Sequence, residues 1–285
     1  MNPRMIADPE EFLTTTADLF CDEARNNLVL GIAGVMRTDP DRYPERHMLV
    51  VEQDGVAVAA ALVTPPRALI LGDADSQDAV TELVRLAEGS LPRIPGVIGN
   101  QPTVQMFANR WRAVTGDGVN VLMDQGVFSL ETVVPPPRPE GQSRRATVAD
   151  ADLVVTWLVE FGREAMPHEG NDRERLKDIV AKRVSVDSLS GFWLWQVAGL
   201  PVSMSGHSGP TRSGIRVGPV YTRPEHRGKG FATALVADQS SALLASGYRF
   251  CFLYTDLANA TSNEIYKRIG YEQVAESIHY AFTRE

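Results

Sequence analysis

A proline-rich segment near the middle of the chain places the strongest constraint on how it folds. Four prolines lie within five residues, at Pro135, Pro136, Pro137 and Pro139, and a polar Glu-Gly-Gln-Ser stretch follows them. Proline fixes φ and lacks a backbone donor, so this segment is unsuited to the interior of a helix or a sheet. We therefore predict a semi-rigid linker over residues 133–145, between a domain at 1–132 and another at 146–285.

The pattern after the linker predicts a mixed α/β domain. Thr147, with Asp150 three residues on, forms a near capping box at the start of a helix. Apolar periodicity and glycine stops then predict the order α-α-β-β-β-α-β-α-β-β, ending in two short strands. The later helices are expected near residues 172–184, 230–246 and 260–269, and the main strands near 192–197, 201–208, 215–222 and 249–255.

The sequence of the first domain predicts a similar order of elements, although its patterns are less distinct. Helices are expected within residues 9–35 and over 77–88 and 104–114, and a strand over 67–72. Turn dipeptides predict hairpins at Asp54-Gly55 and at Gln125-Gly126. Two interpretations remain open: a degenerate copy of the second domain, or an unrelated α/β domain.

The segment from Arg216 to Val236 carries the clearest chemical signal. A predicted strand runs through Pro224-Glu225 into a glycine-rich turn and then a helix. Such a turn aims free backbone N–H groups and the positive end of the helix at one point, which suits a phosphate group. Gly228 and Gly230 would allow a ligand to approach the backbone closely. The alternative is a glycine-rich connection without a ligand.

Two common nucleotide motifs do not fit this segment. A Walker A loop fails because Arg223 stands where its first glycine would be and Gly230 where Ser or Thr is needed. A dinucleotide fingerprint starting at Gly228 fails because Thr233 occupies its third glycine position.

The sequence Arg227-Gly228-Lys229-Gly230-Phe231-Ala232 resembles the acetyl-CoA loop of the GNAT N-acetyltransferase superfamily, which reads Arg or Gln, two residues, Gly, one residue, Gly or Ala. A second region resembles the last motif of that family: Asn259 opens a helix, Tyr266 lies seven residues on, and Ile269-Gly270-Tyr271 ends it. The resemblance covers about residues 145–285. It implies a central, mostly antiparallel twisted sheet flanked by helices. In the first half, DADSQDAV follows the strand, so a copy of the fold there would lack the cofactor site.

The resemblance also implies acetyl-CoA as co-substrate, with backbone groups of the strand before the loop pairing with its pantetheine arm. The cofactor-binding residues expected by this comparison are Val220, Tyr221, Thr222, Arg227, Gly228, Lys229, Gly230, Phe231, Ala232, Asn259 and Asn263. Gly218-Pro219 in that strand indicates either a bulge, which would open a slot for the arm, or a sheet edge.

Tyr266 is the general acid that the resemblance implies. A phenol with a pKa near 10 is protonated at neutral pH and can give its proton to a departing thiolate. Asn259, Asn263 and Tyr266 stand at i, i+4 and i+7, on one helix face. A solvated polar face with a packed tyrosine is the alternative.

The general base is not indicated by any carboxylate in the strand, since residues 213–222 contain none. Candidates elsewhere are Glu164, His168 and Glu169 between two predicted helices, and His207 on a hairpin strand. A chain of water molecules, or an amine that arrives neutral, would also serve.

Charge and composition exclude several classes of protein. With 28 basic and 36 acidic residues, the chain has a net charge of −8, which argues against a nucleic-acid surface. We find no apolar run long enough for a membrane span and no signal core. Two distant cysteines give neither metal spacing nor a disulfide framework, so we expect a cytoplasmic protein without a metal cofactor.

The leading hypothesis is an N-acetyltransferase that acts on a small-molecule or peptide amine by direct attack on acetyl-CoA. A non-catalytic acyl-CoA sensor or regulatory module is the alternative. The first half could also serve as a protein-interaction platform beside the enzyme.

Overall fold

The computed structural model describes residues 1–166, 172–185 and 188–284. It divides into two compact units. The first comprises residues 1–128, 254–260 and 273–285, and the second residues 129–253 and 261–272.

The order of elements repeats along the chain. The first ten are β1 (Asn2–Ile6), α1 (Pro9–Thr15), α2 (Asn27–Thr38), β2 (His47–Gln53), β3 (Val56–Val63), β4 (Leu69–Ala74), α3 (Gln77–Ser90), β5 (Gly96–Asn100), α4 (Thr103–Thr115) and β6 (Gly118–Leu130). The next ten are β7 (Gln142–Arg145), α5 (Ala151–Ala165), α6 (Arg173–Arg183), β8 (Gly191–Val197), β9 (Leu200–Ser208), β10 (Gly214–Thr222), α7 (Phe231–Ala245), β11 (Phe250–Asp256), α8 (Ala260–Ile269) and β12 (Glu272–Thr283). Both sets read β-α-α-β-β-β-α-β-α-β, which confirms that the two halves share a fold.

The sheet of the first unit runs β1-β2-β3-β4-β5-β12. All its neighbours are antiparallel except β4 and β5. The strand β12 pairs with β5, with Ser277 opposite Asn100. The last strand of the chain, which the sequence placed in the domain at 146–285, therefore completes the sheet of the first unit.

Helices cover both faces of this sheet. Leu49 and Val51 on β2 join a core with residues of α3 and α4. Their neighbours Met48 and Val50 join another with residues of α1 and α2. Side chains alternate along a strand, so this continuous apolar run fills two cores at once.

In the second unit, β7, β8, β9, β10 and β11 follow one another, with only the β10–β11 pair parallel. Phe192 and Leu194 on β8 pack with α5 and α6, whereas Trp195 packs with α7. The predicted fold class, two mixed α/β domains with mostly antiparallel sheets and flanking helices, is confirmed.

The proline-rich segment packs on the second unit. Arg138 donates two hydrogen bonds of 3.1 Å to Asp238, and its guanidinium lies 5.3 Å from the ring centre of Trp195. The prediction of a linker up to residue 145 is wrong at its end, because Gln142–Arg145 forms β7 and pairs with β8. The prolines stop before this strand, so its backbone donors are available to the sheet.

Two other predicted turns are absent. Residues 118–130 form one strand instead of a hairpin about Gln125-Gly126, and one strand replaces the two short strands expected at the end. A two-residue hairpin turn requires positive φ, which Gly55 and Gly199 have, at +82° and +81°, and Gly126 has not. Instead, the missing side chain of Gly126 makes room for Phe128, whose ring would lie 2.5 Å from an added Cβ.

An ion pair and a capping box join at the start of α5. Arg144 donates two hydrogen bonds of 2.7 Å to the Asp150 carboxylate, which also accepts from the backbone N–H of Thr147 at 2.8 Å. These contacts, led by the one from Arg144, lower the pKa of Asp150 from 3.8 to about 2. A depressed carboxyl pKa stabilises the fold above pH 4, and this contribution disappears as pH falls towards 2.

We expect Asp150→Asn to lower the free energy of unfolding at pH 7 by about 2 kcal/mol, at 1.4 kcal/mol per pKa unit. Urea denaturation at pH 7 and near pH 2.5 measures the difference, which should shrink at the lower pH. Asp152→Asn, on the exposed first turn of α5, is the matched control. An equal loss at both pH values would contradict the role of the carboxylate charge.

Candidate functional site

A bulge interrupts the pairing of β10 with β9. Val217 lies opposite His207 and Val220 opposite Ser205, so the register shifts across Gly218-Pro219. Gly218 has a φ of +133°, which few other residues adopt. Because β10 also pairs with β11, it is not an edge strand, and the bulge is the correct alternative.

The ladder between β10 and β11 is short. It joins residues 214–216 to residues 250–252, and the described part of the chain shows no further pair along Val217–Thr222. On the side away from β9, this stretch leaves backbone groups for a ligand. Such an edge suits an extended chain that carries amides, because these pair with a strand as another strand would.

A loop with an open surface connects β10 to α7. Gly228 and Gly230 have φ values of +75° and +79°, and an added Cβ at either would meet no atom within 4 Å. Gly230 is the N-cap of α7, where no side chain caps the helix. The described residues accept no hydrogen bond from the N–H groups of Gly228 to Gly230. These donors and the helix dipole make a position for a diphosphate.

The other residues of the predicted loop take different positions. Phe231 is buried and packs with Trp195 and Val202, which anchors the start of α7. Lys229 is exposed. The Arg227 side chain is bound within the chain: its Nε donates to the carbonyl of Thr222 at 3.0 Å and its Nη2 to Glu164 at 2.7 Å.

The side chain of Tyr221 faces α5. Its ring centre lies 6.1 Å from that of Trp157, and the Glu160 carboxylate is near its hydroxyl. Burial first, and then the neighbouring Glu160 carboxylate, raise the pKa of Tyr221 to about 12. Sequence analysis missed Glu160, although its spacing of four from Glu164 places both carboxylates on one face of α5.

Tyr266 lies in α8 and is 8% exposed. Desolvation raises its pKa to about 12, so the phenol stays protonated across the neutral range. Its ring centre is 6.0 Å from that of Tyr271, whose hydroxyl is 2.9 Å from Ser240 Oγ. No hydrogen bond to the Tyr266 hydroxyl is found among the described residues.

The predicted cofactor residues fall mostly in one unit. The second unit holds Val220 to Thr222, the loop from Arg227 to Ala232, Asn263 and Tyr266. Asn259, directly before α8, belongs to the first unit, where its N–H donates to the carbonyl of Asp256 at 2.9 Å.

The residues that the sequence suggested as the general base lie in different surroundings. Glu164 is engaged by Arg227. His207 is 2% exposed, and desolvation, with smaller contributions from Arg145 and Arg183, lowers its pKa to about 3. A histidine so weakly basic suits a neutral structural role better than proton abstraction. His168 and Glu169 lie outside the described residues.

The first unit has the same short parallel ladder, but its own side chains lie against the strand beyond the end of that ladder. Residues 69–71 of β4 pair with 97–99 of β5, and β3 shifts register against β4 between Ala59 and Ala61. Beyond the ladder, the N–H of Asp73 donates to Asn26 Oδ1 at 3.0 Å. This donor corresponds to those that β10 leaves open.

The Asp73 carboxylate joins these side chains into a hydrogen-bonded cluster, which we call the plug of the first unit. It accepts from Arg25 at 3.0 Å, Asn26 at 3.2 Å and Asn100 at 3.3 Å. The following helix α3 is capped, since Ser76 Oγ accepts from the N–H of Ala79 at 3.1 Å. At the corresponding place in the first unit, the strand N–H of Asp73 and the helix N–H of Ala79 therefore have acceptors within the chain.

Comparisons with known proteins agree with this architecture. Residues 211–280 match the family model described as FR47-like protein. A GCN5-related N-acetyltransferase from Sphaerobacter thermophilus has a similar structure, with 19% identity, coverage of 100% of this chain and 96% of that one, and a TM-score of 0.66.

Two further structures align over nearly the whole chain. A Drosophila protein shows 13% identity, a TM-score of 0.69 and coverage of 99% and 98%. A tandem GNAT protein from the clavulanic acid biosynthesis pathway shows 12% identity, a TM-score of 0.58 and coverage of 100% and 99%. No curated protein matches the sequence. The predicted resemblance to the GNAT superfamily is thus confirmed at the level of the fold, in both halves.

Within the described residues, no three His, Cys, Asp or Glu side chains group as metal ligands. No described helix has the length and apolar character that crossing a membrane requires.

We expect the full chain to bind one acetyl-CoA, and Gly230→Asp to weaken binding at least about 100-fold, because a carboxylate would meet the diphosphate at short range. Calorimetric titration measures both the affinity and the number of sites. Two sites per wild-type chain would contradict the plugged first unit.

Two controls separate charge from backbone strain. Gly230→Asn has nearly the same shape without the charge and should lose much less affinity. Gly199→Asp introduces the same side chain at a similar φ in the β8–β9 turn, and should bind as wild type does. Wild-type affinity in Gly230→Asp would remove the loop from the site.

Proposed function

We propose that the second unit is an acetyl-CoA-dependent N-acetyltransferase, which moves an acetyl group to an amine by direct attack. The observation that carries this proposal is the bulged strand β10, which leaves its ladder with β11 and leads into an open glycine loop at the start of α7. The similar structure from Sphaerobacter thermophilus, a GCN5-related N-acetyltransferase, supports it.

In this proposal, the cofactor lies along the open edge of β10. Backbone groups of Val220 and the backbone N–H of Thr222 pair with amide groups of the pantetheine arm, and Tyr221 between them faces α5. The N–H groups of the loop hold the diphosphate, with Lys229 nearby in solvent. Asn263 offers its side-chain amide to the arm, and Asn259 stays a predicted cofactor-binding residue. The protein is expected to act in the cytoplasm on a small-molecule or peptide amine.

The reaction needs a proton acceptor and a proton donor. The amine nitrogen bonds to the acetyl carbon and loses a proton, the carbon–sulfur bond breaks, and the thiolate takes a proton. Tyr266 gives that proton. The burial that raises a phenol pKa also raises that of a thiol, as at Cys251, where desolvation raises the pKa to about 12. Desolvation therefore shifts the pKa values of the phenol that gives this proton and of the thiol that forms in the same direction.

Glu160 is the proposed acceptor of the amine proton. It brings a carboxylate from α5 close to Tyr221 at the end of β10, a strand that has no carboxylate of its own. The alternative function, a non-catalytic acyl-CoA sensor, would need neither Tyr266 nor Glu160.

We expect Tyr266→Phe to reduce kcat and kcat/KM by on the order of 100-fold, because only the hydroxyl is removed and the proton is needed only as the thiolate forms. Acetyl-CoA affinity should stay near wild type. Thiol release with a confirmed acceptor measures turnover, and calorimetry the affinity.

Tyr271→Phe is the matched control, since it removes a buried hydroxyl that bonds Ser240. It should lower the melting temperature and leave turnover close to wild type. Full activity in Tyr266→Phe would show that the thiolate leaves without this donor.

We expect Glu160→Gln to lower kcat/KM at neutral pH by on the order of 100-fold, the low end for a positioned proton acceptor. Glutamine has nearly the same size and shape as glutamate, so packing is retained. The loss should shrink as pH approaches the ammonium pKa of the acceptor, where the amine arrives neutral. Glu174→Gln, on the exposed side of α6, is the control. A loss independent of pH would argue against proton transfer to Glu160.

A further inference from the structure

The first residue of the glycine loop is held from two directions. Arg227 Nε donates to the carbonyl of Thr222, the last residue of β10, at 3.0 Å. Its Nη2 donates to Glu164 Oε2, in the last turn of α5, at 2.7 Å. Its guanidinium carbon lies 5.8 Å from the ring centre of Tyr221.

This arrangement uses the planar fork of the arginine. Two donors on a rigid group fix two acceptors relative to each other, which a single ammonium cannot do. The acceptors belong to α5 and β10, and Arg227 is the first residue of the glycine-rich part of the loop that leads to α7. The side chain thus ties the start of the loop to both elements.

We propose that Arg227 and Glu164 form a strut that positions the loop, so that Glu164 is a positioning residue for cofactor binding and Arg227 acts through its bonds to Thr222 and Glu164. This inference rests on the proposed function, because the loop is the proposed diphosphate site.

The obvious alternative is that Arg227 binds the diphosphate by its charge. The two roles give opposite signs for one substitution. Glu164 is an anion near a site for a polyanion, so by Coulomb's law alone its neutralisation strengthens binding. If Arg227 were a phosphate ligand, freeing it from Glu164 would strengthen binding further. A strut predicts weaker binding, because the loop loses one of its two attachments.

The test is a double-mutant cycle on the full chain with acetyl-CoA as the probe. We expect Glu164→Gln and Arg227→Lys each to weaken binding by about three- to tenfold, within the range of half-exposed ion pairs and charge-assisted hydrogen bonds. The double variant should bind acetyl-CoA with about the affinity of whichever single variant binds it less tightly, because both substitutions break the same strut. Unchanged or tighter binding in Glu164→Gln, or losses that add, would overturn the proposal.

Glu225→Gln is the matched control. Glu225 is half-exposed in the same loop and pairs with Arg223 at 2.7 Å, but this pair joins no second element. Its neutralisation should leave acetyl-CoA affinity unchanged or slightly improved.

A second measurement separates this inference from the proposed function. In the cofactor-free chain, amide hydrogen exchange over residues 223–231 should accelerate in Glu164→Gln and in Arg227→Lys, and not in Glu225→Gln. Faster exchange in a chain that never binds acetyl-CoA would retain the strut and reject the cofactor assignment. Unchanged exchange together with wild-type binding in Glu164→Gln would reject the strut alone.

Discussion

The candidate site depends on one constraint, the register shift of β10 at Gly218-Pro219. An interior strand of a regular sheet is paired along both edges, so its backbone has no free groups for a ligand. Here the shift against β9 coincides with the end of the parallel ladder to β11, so Val217–Thr222 keep one partner strand and lose the other. The strand is still held in place through β9, which is what allows its open edge to remain ordered.

A buried polar network between α7 and β9 fixes the direction of α7. Gln239 of α7 accepts from Ser205 Oγ at 2.5 Å and lies 3.1 Å from His207 Nδ1, and all three side chains are buried. Buried polar groups of this kind tolerate few arrangements, because each lost partner leaves a desolvated donor or acceptor. The network fixes the helix against β9, and its start then lies where β10 ends. The pKa of His207, lowered by this burial, fits a structural role.

The two units show how one fold can keep or lose an open backbone. Each has a parallel ladder of three residue pairs beside a register shift. In the second unit the loop amides are left open by glycines. In the first unit, Asn26 accepts a hydrogen bond from the N–H of Asp73 on β4, and Ser76 caps the helix that follows. The loss of glycines visible in the sequence is thus accompanied by side chains that occupy the space.

The sequence by itself determined the features that depend on neighbours along the chain. The turns at Gly55 and Gly199, the capping box at Thr147 and the glycine loop are set by local φ preferences and short-range hydrogen bonds. Periodicity gave the order of the helices and of most strands, but not β7 or the undivided strands β6 and β12. Tertiary structure alone decided that β12 joins β5, that Gln142–Arg145 pairs as a strand, that Glu164 engages Arg227, and that Glu160 reaches Tyr221. These contacts join residues far apart in sequence, where the choice of partner depends on which surfaces packing brings together, and periodicity records only that a surface is to be buried.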